Sequence, residues 1–221
     1  MLSIAALFTV LLTGQSSAES VVAAIKADEI ARLEACIAKI DDMPEEAYED
    51  ALAWVGEGSR PPARHCRALA LVALEQFEEG AKKLEALAAA PDAGTLDQRA
   101  LYLSQAGSAW LQASAFEEAI VALTEALRLR PQETIFRIDR AIALIALRRY
   151  GQAREDLDTA LAQEPDNSTA YQLRAEVNLR EDQLQAARDD IEAALSLSPQ
   201  NVDVALLRGE IREAIRLSTE E

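Results

Sequence analysis

From residue 98 onward, apolar residues recur with the spacing of an amphipathic α-helix, and this helical pattern returns in units of fixed length. Pro131, Pro165 and Pro199 stand 34 residues apart, each near the end of one unit. Within a unit, one helical pattern precedes a short polar break and a second helical pattern. A fixed period of this length is typical of a solenoid built from repeated helical pairs.

Other positions keep the same spacing and share a residue type. Small residues recur at Gly107, Ala141, Ala175 and Gly209, at Ala119, Ala153 and Ala187, and at Ala126, Ala160 and Ala194. Large apolar residues recur at Phe116, Tyr150 and Leu184, at Leu123, Leu157 and Ile191, and at Leu127, Leu161 and Leu195. Small residues let two helices approach closely, and proline ends the unit because it lacks a backbone N–H. Each pair leaves an apolar face for the next, so the units stabilise one another in a line.

These positions carry a resemblance to a known family. Residues 100–110, together with Phe116, Ala119, Leu123, Ala126 and Pro131, resemble a tetratricopeptide repeat (TPR), and so do 134–165 and 168–199. The resemblance implies an all-α fold, a right-handed α-solenoid of stacked helix-turn-helix repeats. It also implies a protein or peptide partner, although the fold serves many partners and does not name one.

The chain is predicted to comprise seven segments. These are a signal peptide at 1–18, a repeat-like helical pair at 19–60, a degenerate TPR-like pair at 61–97, TPRs at 98–133, 134–167 and 168–201, and a C-terminal capping helix at 202–221. The signal peptide is predicted from an apolar run, Leu2 to Leu12, followed by Ser16-Ser17-Ala18 as a cleavage site. The run is shorter than the ~20 residues that span a bilayer. We therefore expect a periplasmic or secreted protein, cleaved after Ala18, with no membrane span in the mature chain.

The charge of the chain excludes one class of partner. With 22 Lys and Arg against 38 Asp and Glu, the net charge is -16, which repels a phosphate backbone. Nucleic acid is not an expected partner, and an anionic membrane surface is disfavoured for the same reason. The acidity serves solubility or steers a basic partner. It is densest in residues 41–59, which hold seven acidic residues and no Lys or Arg.

The two cysteines, Cys36 and Cys66, are each placed on the first helix of a pair, and such helices are neighbours in a stacked array. In an exported protein this favours a disulfide, which stabilises by roughly 3–4 kcal/mol for such a loop. The alternative is two buried thiols. No metal site is expected, because His65 is the only histidine and zinc takes about four ligands.

Arg140, Arg174 and Arg208 also follow the 34-residue spacing. One interpretation is a ladder that grips carboxylates of a partner. The other is structural, because acidic residues recur as well, at Asp156 and Asp190 and at Asp158 and Glu192. The second interpretation is favoured.

In TPR proteins the partner groove is lined by the first helices of the repeats. The family's groove positions, transferred to this sequence, are Leu101, Ser104, Ser108, Ile135, Ile138, Ile142, Ile145, Gln172, Glu176 and Arg180. The four isoleucines share one helical face, which is either groove or core. The Lys and Asn residues with which some TPR proteins clamp a C-terminal carboxylate are absent at these positions.

No catalytic motif is found in the sequence, and no cofactor or enzymatic activity is expected. The function expected is a non-enzymatic scaffold or adaptor of the bacterial cell envelope that binds a peptide or partner protein through its repeats. The alternative is an accessory regulator or chaperone of an enzyme or secretion machine.

Overall fold

The structure, a computed structural model, describes the backbone of residues 5–219 and the side chains of residues 19–219. The described part is helical and contains no strand. Its helices are α1 (Ala5–Ile40), α2 (Pro44–Gly58), α3 (Pro61–Ala73), α4 (Phe77–Ala89), α5 (Leu96–Gln112), α6 (Phe116–Leu129), α7 (Thr134–Ala146), α8 (Tyr150–Gln163), α9 (Ser168–Arg180), α10 (Leu184–Leu197) and α11 (Val202–Ser218). The predicted all-α fold is confirmed.

The helices fall into two compact units. Unit 1 ends at Gln76 and contains α1 to α3, and unit 2 begins at Phe77 and contains α4 to α11. Residues 1–4, and the side chains of 5–18, lie outside the described part, so the predicted signal peptide stays a prediction. Within the described residues, no helix is both long and apolar enough to cross a membrane.

Unit 2 is a stack of helical pairs whose apolar clusters each join one pair to the next. One cluster combines α7 and α8 with α9 through buried residues such as Leu157 and Val177. The next cluster combines α9 and α10 with α11, through Ile191 and Ile211. Because each pair completes its core only against its neighbour, unit 2 has the solenoid construction that the repeat spacing predicts.

Side-chain caps mark where three helices of unit 2 begin, α5, α9 and α11. Thr95 and Gln98 form a capping box at the start of α5. Asn167 and Asn201 cap α9 and α11 by accepting hydrogen bonds from backbone N–H groups of the first turn. Arg99 donates to the carbonyl oxygens of Ala88 and Ala90, at 2.6 and 2.9 Å, and so holds the connection before α5 against the end of α4.

The turn inside each of three pairs holds a residue with positive φ. These residues are Ser114, Arg148 and Asp182, with φ of 57°, 57° and 58°, and none of them is glycine. In each turn, the residue after the positive-φ residue donates its backbone N–H to the carbonyl oxygen five residues earlier. Ala115, for example, donates to Trp110 at 2.9 Å. This is the hydrogen-bond arrangement of a Schellman helix end.

Gly107 is required by close packing between α5 and α6. A Cβ at this position would lie 2.5 Å from Cγ of Leu123, which is fully buried. We expect Gly107→Ala to lower the free energy of unfolding by about 1–3 kcal/mol, because the buried leucine must shift. Urea unfolding followed by circular dichroism measures this loss.

Gly209 supplies the matched control for Gly107, since it holds the equivalent position on α11. A Cβ there would meet nothing within 4 Å. Gly209→Ala is expected to raise stability by up to about 1 kcal/mol, the helix-propensity difference between the two residues. Equal effects of the two substitutions would refute the packing role of Gly107.

Candidate functional site

The first helices of three repeats, α5, α7 and α9, carry side chains that stay exposed or half-buried in the stack. We call the following residues among them the first-helix face: Leu101, Ser108, Ile135, Asp139, Ile142, Gln172 and Glu176. Leu101 is 45% exposed and Ile135 is 55% exposed. Ser108, Ile142, Gln172 and Glu176 are half-buried, and Arg180 is exposed at the end of α9.

Four of the predicted groove residues are not part of this face: Ser104, Ile138, Ile145 and Arg180. Ile138 is 3% exposed and lies in the core cluster that joins α7 to α9, where Ile142 and Ile145 also pack from its edge. Ser104 is 9% exposed, and its hydroxyl donates to the carbonyl of Leu101. The isoleucine stripe of α7 therefore divides, with Ile135 on the surface and Ile138 in the core.

A polar contact joins α5 to α7 within the face. Ser108 Oγ donates a hydrogen bond to Asp139 Oδ2 at 3.1 Å. Partial burial raises the pKa of Asp139, and the bond from Ser108 opposes this rise. On α9 the face carries a second carboxylate, Glu176, at the position equivalent to Ser108 and Ile142, and it lies 3.5 Å from the guanidinium of Arg180 of the same helix.

Arg140, Arg174 and Arg208, the column of arginines at the 34-residue spacing, connect helices of the stack to one another. Each guanidinium pairs with an oxygen 16 residues away, in the second helix of its own or of the preceding repeat. The contacts are Arg140 with Asp156 and Thr124, Arg174 with Asp190 and Asp158, and Arg208 with Glu192. The bonds to Asp190, more than any other, raise the pKa of Arg174. These side chains bind neighbouring helices together, which confirms the structural interpretation of the column.

Cys36 and Cys66 form a disulfide that joins α1 to α3, with their Cα atoms 6.1 Å apart. The bond lies in the core of unit 1, where Ala51, Trp54 and Ala63 are also buried. The predicted pairing of the cysteines is confirmed.

Part of the acidic run at 41–59 is neutralised within unit 1. Asp50 accepts a hydrogen bond from Lys39 at 2.6 Å, and Glu57 accepts one from Arg32 at 2.7 Å. The bond from Arg32 lowers the pKa of Glu57. The Arg32 guanidinium also lies 4.6 Å from the ring centroid of Trp54. These contacts attach α2 to α1, and the remaining acidic residues form a solvated surface.

The described residues offer no metal centre. Nowhere in this part of the chain do three His, Cys, Asp or Glu side chains come together in a way that could hold a metal ion.

Comparison with known proteins agrees with this construction. Residues 106–178, about one third of the chain, match the family model described as tetratricopeptide repeat. Unit 2 has a TPR fold. No curated protein sequence matches the chain.

Solved TPR structures resemble the chain over half of its length or more. The first TPR domain of Spaghetti (RPAP3), bound to the HSP90 peptide SRMEEVD, is 26% identical, with a TM-score of 0.53, covering 54% of this chain and 95% of that domain. MamA (41-end) from Desulfovibrio magneticus RS-1 is 16% identical with a TM-score of 0.66, covering 79% and 95%. A thermophilic TPR protein of Thermus thermophilus is 21% identical with a TM-score of 0.57, covering 85% and 98%. The last two likenesses concern the fold alone.

Proposed function

We propose that this protein is a non-enzymatic adaptor that holds a peptide or a segment of a partner protein on the first-helix face. The observation that carries the proposal is the exposure of Leu101 and Ile135, which occupy the same position in consecutive repeats. Neither side chain is needed to complete the core of unit 2. Apolar side chains held in register on rigid helices provide a surface on which an amphipathic segment can dock.

The Spaghetti TPR domain, which is bound to a peptide, supports this use of the fold. The charge of its peptide, however, does not suit the first-helix face of this protein. The Spaghetti domain holds SRMEEVD, an acidic peptide. The first-helix face of this protein instead has carboxylates, at Asp139 and Glu176. An acidic tail is therefore not the expected ligand.

We further propose that the adaptor acts in the bacterial cell envelope, after export and cleavage behind Ala18. The disulfide between Cys36 and Cys66 supports this location, because disulfides persist in oxidising compartments. N-terminal sequencing of the mature protein tests the export step. Glu19 is the expected first residue, and an intact Met1 would refute cleavage.

The docking proposal is tested by removing one exposed apolar side chain at a time. Affinity purification from envelope extracts is compared between the unchanged protein, Ile135→Asn and Val121→Asn. Val121 is 63% exposed on α6, outside the first-helix face, and so serves as the matched control. We expect Ile135→Asn to reduce recovery of the partner about tenfold or more, the effect of losing a central contact. Val121→Asn should leave recovery unchanged.

The purification also separates the two modes of action. A stoichiometric, salt-resistant partner supports an adaptor, whereas many substoichiometric clients support an accessory chaperone. Equal recovery with Ile135→Asn and the unchanged protein would overturn the proposed face.

A further inference from the structure

Asp139 is a charged residue at a position where later repeats have leucine. The residues at this position are Gln105, Asp139, Leu173 and Leu207. Leu173 packs against the cluster that joins α7 to α9, and Leu207 packs against the cluster that joins α9 to α11. A leucine therefore satisfies the packing of the repeat at this position, and the fold does not require a carboxylate there.

Within the described residues, no Lys, Arg or His nitrogen lies within 4.0 Å of the Asp139 carboxylate. Its hydrogen bond comes from the Ser108 hydroxyl, which also lies 3.2 Å from the carbonyl oxygen of Ser104. Burial without a compensating charge is unfavourable, which is why the pKa of Asp139 is raised. The folded protein holds this proton more tightly than the unfolded chain does. Ionisation above that pKa therefore opposes folding.

Apolar side chains of the first-helix face flank this carboxylate. Ile135 and Ile142 stand four residues before and three residues after Asp139, so all three share one side of α7. Leu101 stands two turns before Ser108 on the same side of α5. A low-dielectric rim of this kind strengthens an ion pair formed at its centre.

We propose that Asp139 determines the specificity of the docking face by pairing with a Lys or Arg of the partner segment. The inference rests on the proposed function. The cation is placed against the Asp139 carboxylate, and an adjacent apolar side chain of the partner packs over Ile135 and Leu101. The net charge of -16 favours the approach of such a basic segment over an acidic one.

The test is a random dodecamer peptide library panned on the full chain and counter-selected on Ile135→Asn, so that the recovered peptides depend on the face. We expect these peptides to share a Lys or Arg next to an apolar residue. One of these peptides is then synthesised in two forms, one with its Lys or Arg and one in which Gln replaces that residue. Asp139→Asn and the Gln peptide should each weaken binding about tenfold, and the two changes together should weaken it little further, as for groups that pair with each other.

Asp189→Asn is the matched control, because it removes the same charge from an exposed position on α10. It should change the affinity less than twofold. The thermal midpoint of Asp139→Asn should equal or exceed that of the unchanged protein, which distinguishes lost pairing from unfolding.

The outcomes separate the inference from the proposed function. Face-dependent peptides without a cation, or equal binding by Asp139→Asn, would overturn the role of Asp139 and leave the docking face standing. Recovery of no peptide that depends on Ile135 would overturn the proposed function, and this inference with it.

Discussion

Arg174→Leu is expected to lower the free energy of unfolding by about 3 kcal/mol, because it leaves the carboxylate of Asp190 buried without its partner. The Arg174 guanidinium forms two hydrogen bonds with Asp190, at 2.7 and 2.9 Å, and the Asp190 side chain is only 10% exposed. After the substitution, Asp190 keeps the hydrogen bond from Asn178. Urea unfolding of the purified protein measures the loss.

Arg208→Leu is the comparison for this prediction. Arg208 occupies the same position in the next repeat, but its partner Glu192 is 44% exposed. Exposed ion pairs contribute roughly 0–1 kcal/mol, so this variant should lose less than about 1 kcal/mol. A similar loss in both variants would mean that the burial of Asp190 does not set the effect.

Removal of the disulfide by Cys36→Ala and Cys66→Ala is expected to destabilise unit 1 by about 3–4 kcal/mol, the entropic effect of opening a loop of this size. The cysteines are 30 residues apart and connect α1 to α3. Apart from Cys36, the apolar residues that attach α1, Leu33 and Ile40, are only partly buried. Hydrogen exchange of the α1 backbone should therefore accelerate markedly, while exchange in α8 should not change.

A reducing agent provides the control for the disulfide prediction. Dithiothreitol should accelerate exchange of α1 in the unchanged protein and should have no effect on the double variant. Unchanged protection of α1 after removal of the bond would show that noncovalent packing alone holds the helix.

Much of the fold of unit 2 could be predicted, because the repeat imposes the same contact at every 34th residue. Ala119 and Leu123, with their equivalents in later repeats, are buried as their recurrence suggests. The start of α5 at Leu96 was not predicted, although Thr95 and Gln98 have the spacing of a capping box. Further upstream, the sequence departs from the repeat, so there is no such recurrence to align.

The candidate site was less predictable, because the surface of a helix depends on its rotation against its neighbours. Ile135 and Ile138 stand three residues apart, so the sequence pattern places them on the same face of α7. Their side chains nevertheless point about 60° apart around the helix axis, and the packing of α7 leaves Ile135 in water and Ile138 in the core. Asp139 was not predicted as a site residue. The sequence does contain an indication of it, because Asp139 is an acidic residue at a repeat position where the later repeats have Leu173 and Leu207.

The three positive-φ turns have a consequence for evolution and engineering of this protein. Ser114, Arg148 and Asp182 each hold a left-handed backbone that costs an L-residue about 1 kcal/mol relative to glycine. None of the three belongs to the first-helix face. Glycine at any of these three positions should therefore raise the stability of the protein. That gain would offset substitutions on the first-helix face that improve binding but destabilise the fold.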